Sequence, residues 1–153
     1  MRIVILSDTH GLLRPQVLDY LAGADAIIHA GDINTPAVLE RLKGFAPLYI
    51  VRGNNDKEWA AQLPISQNFT LGGVRFFLIH NQKELPDRLP EVDFVIYGHS
   101  HRYTDQERAG VRWLNPGSCG PRRFHQEITL AVMELREGEC QVEKISIPHS
   151  EEG

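Results

Sequence analysis

Apolar residues gather in short runs that stop abruptly, each on a polar residue or a glycine. Ile3 to Leu6 is apolar at every position, the pattern of a strand covered on both faces. Pro15 suits the first turn of a helix, Val17, Leu18 and Leu21 fall on one helical stripe, and Gly23 stops it. Asp25 to His29 predicts a second short strand. Thr35 then caps a helix with Pro36 at its first position, Val38, Leu39 and Leu42 facing inward, and Gly44 at its end. Leu48 to Val51 predicts a third strand. Strand, helix, strand, helix, strand implies parallel pairing through crossovers.

The second half changes period. Ser66 to Leu71 and Val74 to Ile79 flank Gly72-Gly73, a hairpin signal. The pattern predicts a short helix over Lys83 to Leu89 and a buried strand over Phe94 to Tyr97. Tyr103 to Glu107 and Val111 to Leu114 flank Ala109-Gly110, and Ile128 to Leu135 and Cys140 to Ile147 flank Glu137-Gly138. An α/β front half and an antiparallel back half fit two mixed sheets packed face to face, with helices outside.

Composition narrows the class. A chain of 153 residues suits one domain over 1–153, with 148–153 a loose polar tail. The formal charge of -4 disfavours stable nucleic-acid binding, which a basic surface drives. No apolar run is long enough to span a bilayer. Ser7-Asp8-Thr9-His10 interrupts the first apolar run, so that run reads as a strand rather than a signal peptide, and a cytoplasmic protein is expected. Cys119 and Cys140 form no disulfide framework and no zinc spacing, and read as free structural thiols.

The chemistry lies where the strands stop. Asp8-x-His10 follows the first, Gly31-Asp32 the second, Gly53-Asn54 the third, His80 a later one, and Gly98-His99-Ser100-His101 the last buried one. Each motif alone reads as turn or cap chemistry. Five together, at the strand ends where open α/β sheets bind ligands, point to a metal centre. Two Asp, one Asn and four His are too many for one tetrahedral zinc. One carboxylate shared by two ions gives four positions to each and leaves room for water. Imidazole with carboxylate and no thiolate suits manganese, nickel, iron, zinc or cobalt. Two ions ~3.5–4 Å apart are the arrangement used on phosphate esters.

Asp8-Thr9-His10, Gly31-Asp32, Gly53-Asn54-Asn55-Asp56, His80 and Gly98-His99-Ser100-His101 resemble, in order, the five blocks of the calcineurin-like metallophosphoesterases. Asn115-Pro116-Gly117-Ser118 with Pro121-Arg122, and the compact length, resemble the small YfcE-type phosphodiesterase branch. The resemblance implies a four-layer α-β-β-α sandwich. It implies one metal, manganese above the others, on Asp8, His10, Asp32 and His101, and a second on Asp32, Asn54, His80 and His99, with Asp32 bridging. It implies dimers or tetramers through sheet or hairpin edges. Two positions depart from the wider pattern. Asn55 stands where many members carry a His that protonates the leaving group, and Asn81 follows His80 where Gly is common.

The reaction this implies is hydrolysis of a small phosphodiester by in-line attack of a hydroxide held between the metals. Asp32, Asn54, Asn55 and His80 are the expected catalytic residues. Two ions bring four positive charges; Asp8, Asp32 and the hydroxide remove three, so the site still attracts an anion. Arg122 or Arg123 offers a donor fork to the phosphate, or else belongs to a solvated basic loop. Asn55 is a further substrate contact. Asp56 is expected to orient Asn54 or a His ligand from behind, and His29 to do the same or to be a buried structural residue. His125 and His149 carry no assigned role. The rival reading is a scaffold on the same fold with little activity. Phosphomonoesterase, protein phosphatase and nuclease are rivals within the enzymes.

Overall fold

The computed structural model describes residues 1–122 and 126–148. The described residues form ten strands: β1 Arg2–Leu6, β2 Ala26–His29, β3 Leu48–Ile50, β4 Ser66–Leu71, β5 Val74–Ile79, β6 Phe94–Ile96, β7 Tyr103–Arg108, β8 Val111–Pro116, β9 Ile128–Arg136 and β10 Glu139–Ile147. Two α-helices, α1 Pro15–Leu21 and α2 Pro36–Lys43, join the first three strands. Both begin on proline, whose fixed φ and missing N–H suit a first turn. The Thr35 hydroxyl caps α2 by accepting from the Val38 N–H.

The strands form two five-stranded mixed sheets, ordered β10-β9-β1-β2-β3 and β4-β5-β6-β8-β7. In the first, β1, β2 and β3 run parallel, as the crossovers require, and the β9–β10 hairpin adds antiparallel to β1. In the second, β6 lies parallel to both β5 and β8, while β4 and β7 pair antiparallel at the edges. The back half is therefore not purely antiparallel. Each hairpin lends its inner strand to β6, a long-range pairing that local pattern does not encode.

The continuous apolar run of β1 follows from burial on both faces. Ile3 and Ile5 face the second sheet and pack with Ile28, Phe76, Leu78, Phe94 and Ile96. Val4 and Leu6 face the helices and pack with Val17, Leu21, Val38 and Leu42. The outer face of the second sheet, with Phe77, Val95 and Tyr97, is covered by Leu85, Leu89 and Val92.

That covering segment is where the expected helix over Lys83 to Leu89 fails. Only a single 3-10 turn forms, Gln82–Glu84. Pro86 lacks an N–H and excludes its predecessor from the helical region, and Leu85 is extended at φ -60°, ψ 144°. Among the described residues no helix is long and apolar enough to cross a membrane. Cys119 and Cys140 are free thiols. Burial pushes the Cys119 thiol up to about 12, which keeps it protonated and unreactive.

Candidate metal centre

The segments after β1, β2, β3, β5, β6 and β8 meet at one edge of the sandwich. The segment after β1 runs alongside that after β2, with the Asp8 N–H donating to Gly31 O (3.0 Å), His10 N–H to Asp32 O (3.0 Å) and Gly11 N–H to Ile33 O (2.8 Å). Within the second sheet the Gly98 N–H donates to the His80 carbonyl, and between the sheets the Cys119 N–H donates to that of Ser7. A Cβ on Gly53 would collide with the Asp32 carboxylate, and one on Gly98 with the Ser7 hydroxyl and Asp8. Both glycines are there because the backbone must pass against ligand-type side chains.

Five of the seven expected ligands sit at positive φ: Asp8 (56°), His10 (45°), Asp32 (60°), His99 (75°) and His101 (63°). A non-glycine residue in this region costs on the order of 1 kcal/mol or more. Asp, Asn and His tolerate it better than most residues, but such crowding at one edge is how folds store strain at functional sites.

Asp8, His10, Asp32, His80 and His101 converge. The His101 Nε2 lies 3.3 Å from Asp8 Oδ1, and His10 Nε2 lies 3.8 Å from the same oxygen. Asp32 Oδ2 stands 3.3 Å from His80 Nε2 and 3.7 Å from His10 Nε2. Two groups emerge with ligand-grade spacing, Asp8–His10–His101 and Asp8–Asp32–His80. Asp8 belongs to both, and Asp32 Oδ2 lies between imidazoles of both. His99 is adjacent: its ring meets His80 edge-on at 5.3 Å and its N–H donates to Asp8 Oδ2. Asn54 is exposed, and among the described residues no hydrogen bond ties its side chain to the cluster.

The donor set fits a divalent cation by a test internal to the molecule. Asp8 Oδ1 and His80 Nε2 are buried, and among the described residues neither has a hydrogen-bond partner despite the close ion-pair distances. Buried polar atoms are normally satisfied, and unsatisfied ones are expensive. The His80 Nδ1–H donates to the Ala30 carbonyl at 2.7 Å, so in the neutral ring Nε2 presents its lone pair to the carboxylates, the tautomer a metal requires. Burial alone would raise the Asp32 carboxyl. The His80 imidazole, the Asn55 N–H and His10 outweigh it and hold the group well below the usual carboxylate range. Burial likewise lowers His80, but Asp32 and Asp8 win and raise it.

Asp56 supports the site from behind, through backbone groups. Among the described residues no hydrogen bond found joins it to Asn54 or to a histidine. Its two oxygens accept four backbone N–H groups, from Asp32 (3.0 Å), Ile33 (2.9 Å), Asn34 (2.8 Å) and Gly53 (2.9 Å). It therefore clamps the segment after β2 to the segment after β3. The Asn55 N–H donates to Asp32 Oδ1 (2.9 Å) and its Nδ2 to Asp32 Oδ2 (3.2 Å), so it steadies a carboxylate. Asn81 caps the 3-10 turn through Lys83 N–H. Arg122 donates Nε–H to the Gln126 carbonyl (3.1 Å). Arg123, His125 and His149 lie outside the described residues.

Supports that sequence reasoning did not assign include Ser7, whose hydroxyl donates to Asp8 Oδ2 (2.7 Å), and Ser118, whose hydroxyl donates to the Asp8 carbonyl (3.1 Å). Asn115 holds the histidine loop through Gly98 O and Ser100 Oγ. The Asn-Pro-Gly-Ser motif was the available signal for the last two.

His29 is buried and supports the site through its neighbours. Nδ1 accepts from the Gly31 N–H, which leaves the proton on Nε2 to donate to the Thr9 hydroxyl. Burial pushes its pKa down to about 4, outweighing the pull of Asp8 and Asp32. The unfolded chain protonates near 6.5, so this contribution is complete above pH 6.5 and is lost as pH falls to 4. The loss is about 3 kcal/mol. Urea unfolding at pH 7 and pH 4.5 should show it, and the pH difference should shrink in His29→Gln.

The geometry has relatives. A family model described as the calcineurin-like phosphoesterase superfamily domain matches residues 1–138. The chain belongs to that superfamily. Phosphodiesterase YfcE of Escherichia coli K12 is 34% identical over 145 residues, covering 77% of this chain and 79% of that protein. A probable metallophosphoesterase of Methanothermobacter thermautotrophicus is 30% identical over 132 residues, covering 77% of each. Among solved structures of the superfamily fold, YfcE, a phosphoesterase from E. coli, superposes with a TM-score of 0.72 at 28% identity, over 88% of each chain. Vps29 of Entamoeba histolytica complexed with zinc superposes with a TM-score of 0.72 at 22% identity, over 95% of this chain and 99% of that one, a likeness of fold alone.

Proposed function

We propose that this calcineurin-like chain is a cytoplasmic phosphodiesterase that hydrolyses small phosphodiesters with two divalent cations, manganese by preference. The observation that carries the reading is the buried convergence of Asp8, His10, Asp32, His80 and His101, with Asp8 Oδ1 and His80 Nε2 facing inward without hydrogen-bond partners among the described residues. Asp8, His10, Asp32 and His101 would hold one cation; Asp32, Asn54, His80 and His99 would hold the other. The position of Asp32 Oδ2 between His10 and His80 supports its role as the bridge. When bound, such ions supply a nucleophilic water at neutral pH and positive charge for the phosphoryl oxygens.

The chain's own residues supply rigidity and the correct protonation. Ala30 fixes the His80 tautomer, Asp56 fixes the backbone of Asp32, and Ser7 and Ser118 fix Asp8. Preorganisation of this kind places charge before the reaction needs it. Asn55, held against Asp32, offers no imidazole to a leaving oxygen, so esters with poor leaving groups should turn over slowly. No stable nucleic-acid partner is expected, and self-association would use sheet or hairpin edges. A non-catalytic scaffold is the second reading; the presence of all seven ligand-type residues, after β1, β2, β3, β5 and β6, weighs against it.

A panel of cyclic nucleotides, dinucleotides, glycerophosphodiesters, chromogenic diesters and monoesters, each with manganese, nickel, zinc or magnesium, tests the reading. Diester turnover above monoester turnover supports it, and bound metal without any turnover favours the scaffold. Because Asp32 and Asp8 raise the His80 pKa, protons compete with metal there. In the metal-free protein the protonated ring contributes stability below pH 6.5 that is lost as pH rises through its raised pKa; metal binding gains over the same range. Activity should therefore fall on acidification below neutral pH, and flat activity down to pH 5 would contradict the assignment.

A further inference from the structure

Beside the ligand cluster lies a cavity of about 200 Å³, and the two share His101. That volume equals roughly six or seven waters. Its walls come from both sheets: Arg102 just before β7, Tyr103 on β7, Thr129 on β9 and Lys144 on β10, with Gln126 and Glu127 at its open rim. The wall is largely apolar, with the charged groups exposed at its mouth, and those charges do not cancel. The Lys144 ammonium is 3.0 Å from Glu127 Oε2, which satisfies both. Arg102 lines the mouth as an exposed side chain, and no ion pair found among the described residues joins a carboxylate to its guanidinium. Its backbone is fixed, with N–H donating to Ser100 Oγ and the carbonyl accepting from Thr104 Oγ1. Burial, with the Asp105 charge, pushes the Tyr103 phenol up to about 12, so it remains a hydroxyl donor. One unpaired guanidinium, a phenol and an amide, next to a site for phosphate, suit a compact hydroxylated group that carries an acid.

We infer that this cavity is a subsite for one alcohol arm of the diester, a small hydroxylated arm bearing a carboxylate or phosphate, recognised by Arg102. The inference rests on the phosphodiesterase reading for its substrate, and on the cavity alone for its ligand chemistry. In the reaction water adds to phosphorus, the P–O bond to the other alcohol breaks, and the acidic arm stays esterified in the product.

Two p-nitrophenyl diesters test it, one with glycerate and one with glycerol as the second alcohol. The subsite predicts a kcat/KM ratio favouring the glycerate ester that falls about tenfold in Arg102→Ala, the worth of one charge-assisted hydrogen bond, and partly returns in Arg102→Lys. Turnover of both esters at equal rates would overturn the subsite while leaving the phosphodiesterase reading intact. Turnover of neither ester would overturn that reading instead. The subsite is then decided by titrating metal-free protein with glycerate and with glycerol, following the backbone NMR shifts of Tyr103 and Thr129. Glycerate must bind more tightly than glycerol, and Arg102→Ala must remove the difference; equal binding would overturn the subsite.

Discussion

Asp32→Ala should leave the protein without diesterase activity, a loss on the order of 10³-fold or more, and with both metals depleted. Asp32 Oδ2 lies 3.7 Å from His10 Nε2 and 3.3 Å from His80 Nε2, so under the proposed bridging role removing it takes a ligand from each metal. Loss of both ions from one substitution separates a bridge from an ordinary ligand. Asp32→Asn keeps an oxygen for the Asn55 N–H but loses the charge, and should retain the fold while binding metal poorly. Elemental analysis of the purified variants, with turnover of a chromogenic diester, reads both effects. An unchanged content of two metals in Asp32→Ala would remove Asp32 from the bridge.

Asp56→Ala should be among the most destabilising single changes in the molecule. It removes the acceptor of four backbone N–H groups, three of them on consecutive residues from Asp32 to Asn34. A buried donor left without an acceptor costs about 1–3 kcal/mol. Water entering from the nearby edge would satisfy some of the four, so a total of about 4 kcal/mol is expected. Asp56→Asn keeps one acceptor oxygen and should fall between. Because Asp32 is held through its backbone, either variant that still folds should bind metal more weakly. Urea unfolding of the metal-free variants measures the first effect and metal titration the second. A change under 1 kcal/mol for Asp56→Ala would contradict the clamp.

What the sequence made legible was whatever a strand end declares locally. Asp8, His10, Asp32, His80 and His101 each follow an apolar run, and parallel pairing of β1 with β2 brings the first three together. The glycine-bearing hairpin turns were equally readable, since Gly73, Gly110 and Gly138 all carry φ of 82°. What stayed hidden was non-local. The pairing of β6 between β5 and β8 depends on segments far apart in the chain. Asp56 gave no sign that its carboxylate would accept from residues more than twenty positions earlier. For Arg122 the sequence left phosphate contact and a basic loop equally open, and its Nε–H bond to the Gln126 carbonyl is a placement that local pattern does not encode. The helix over 83–89 failed for a readable reason: Pro86 sits within it.

Anomalous diffraction at the manganese edge, from crystals grown with manganese at neutral pH, tests the central claim most directly. Two peaks ~3.5–4 Å apart are expected. One should lie against Asp8, His10 and His101, the other against His80, His99 and Asn54, with Asp32 touching both. A single peak, or none within this group of side chains, would contradict the two-metal account.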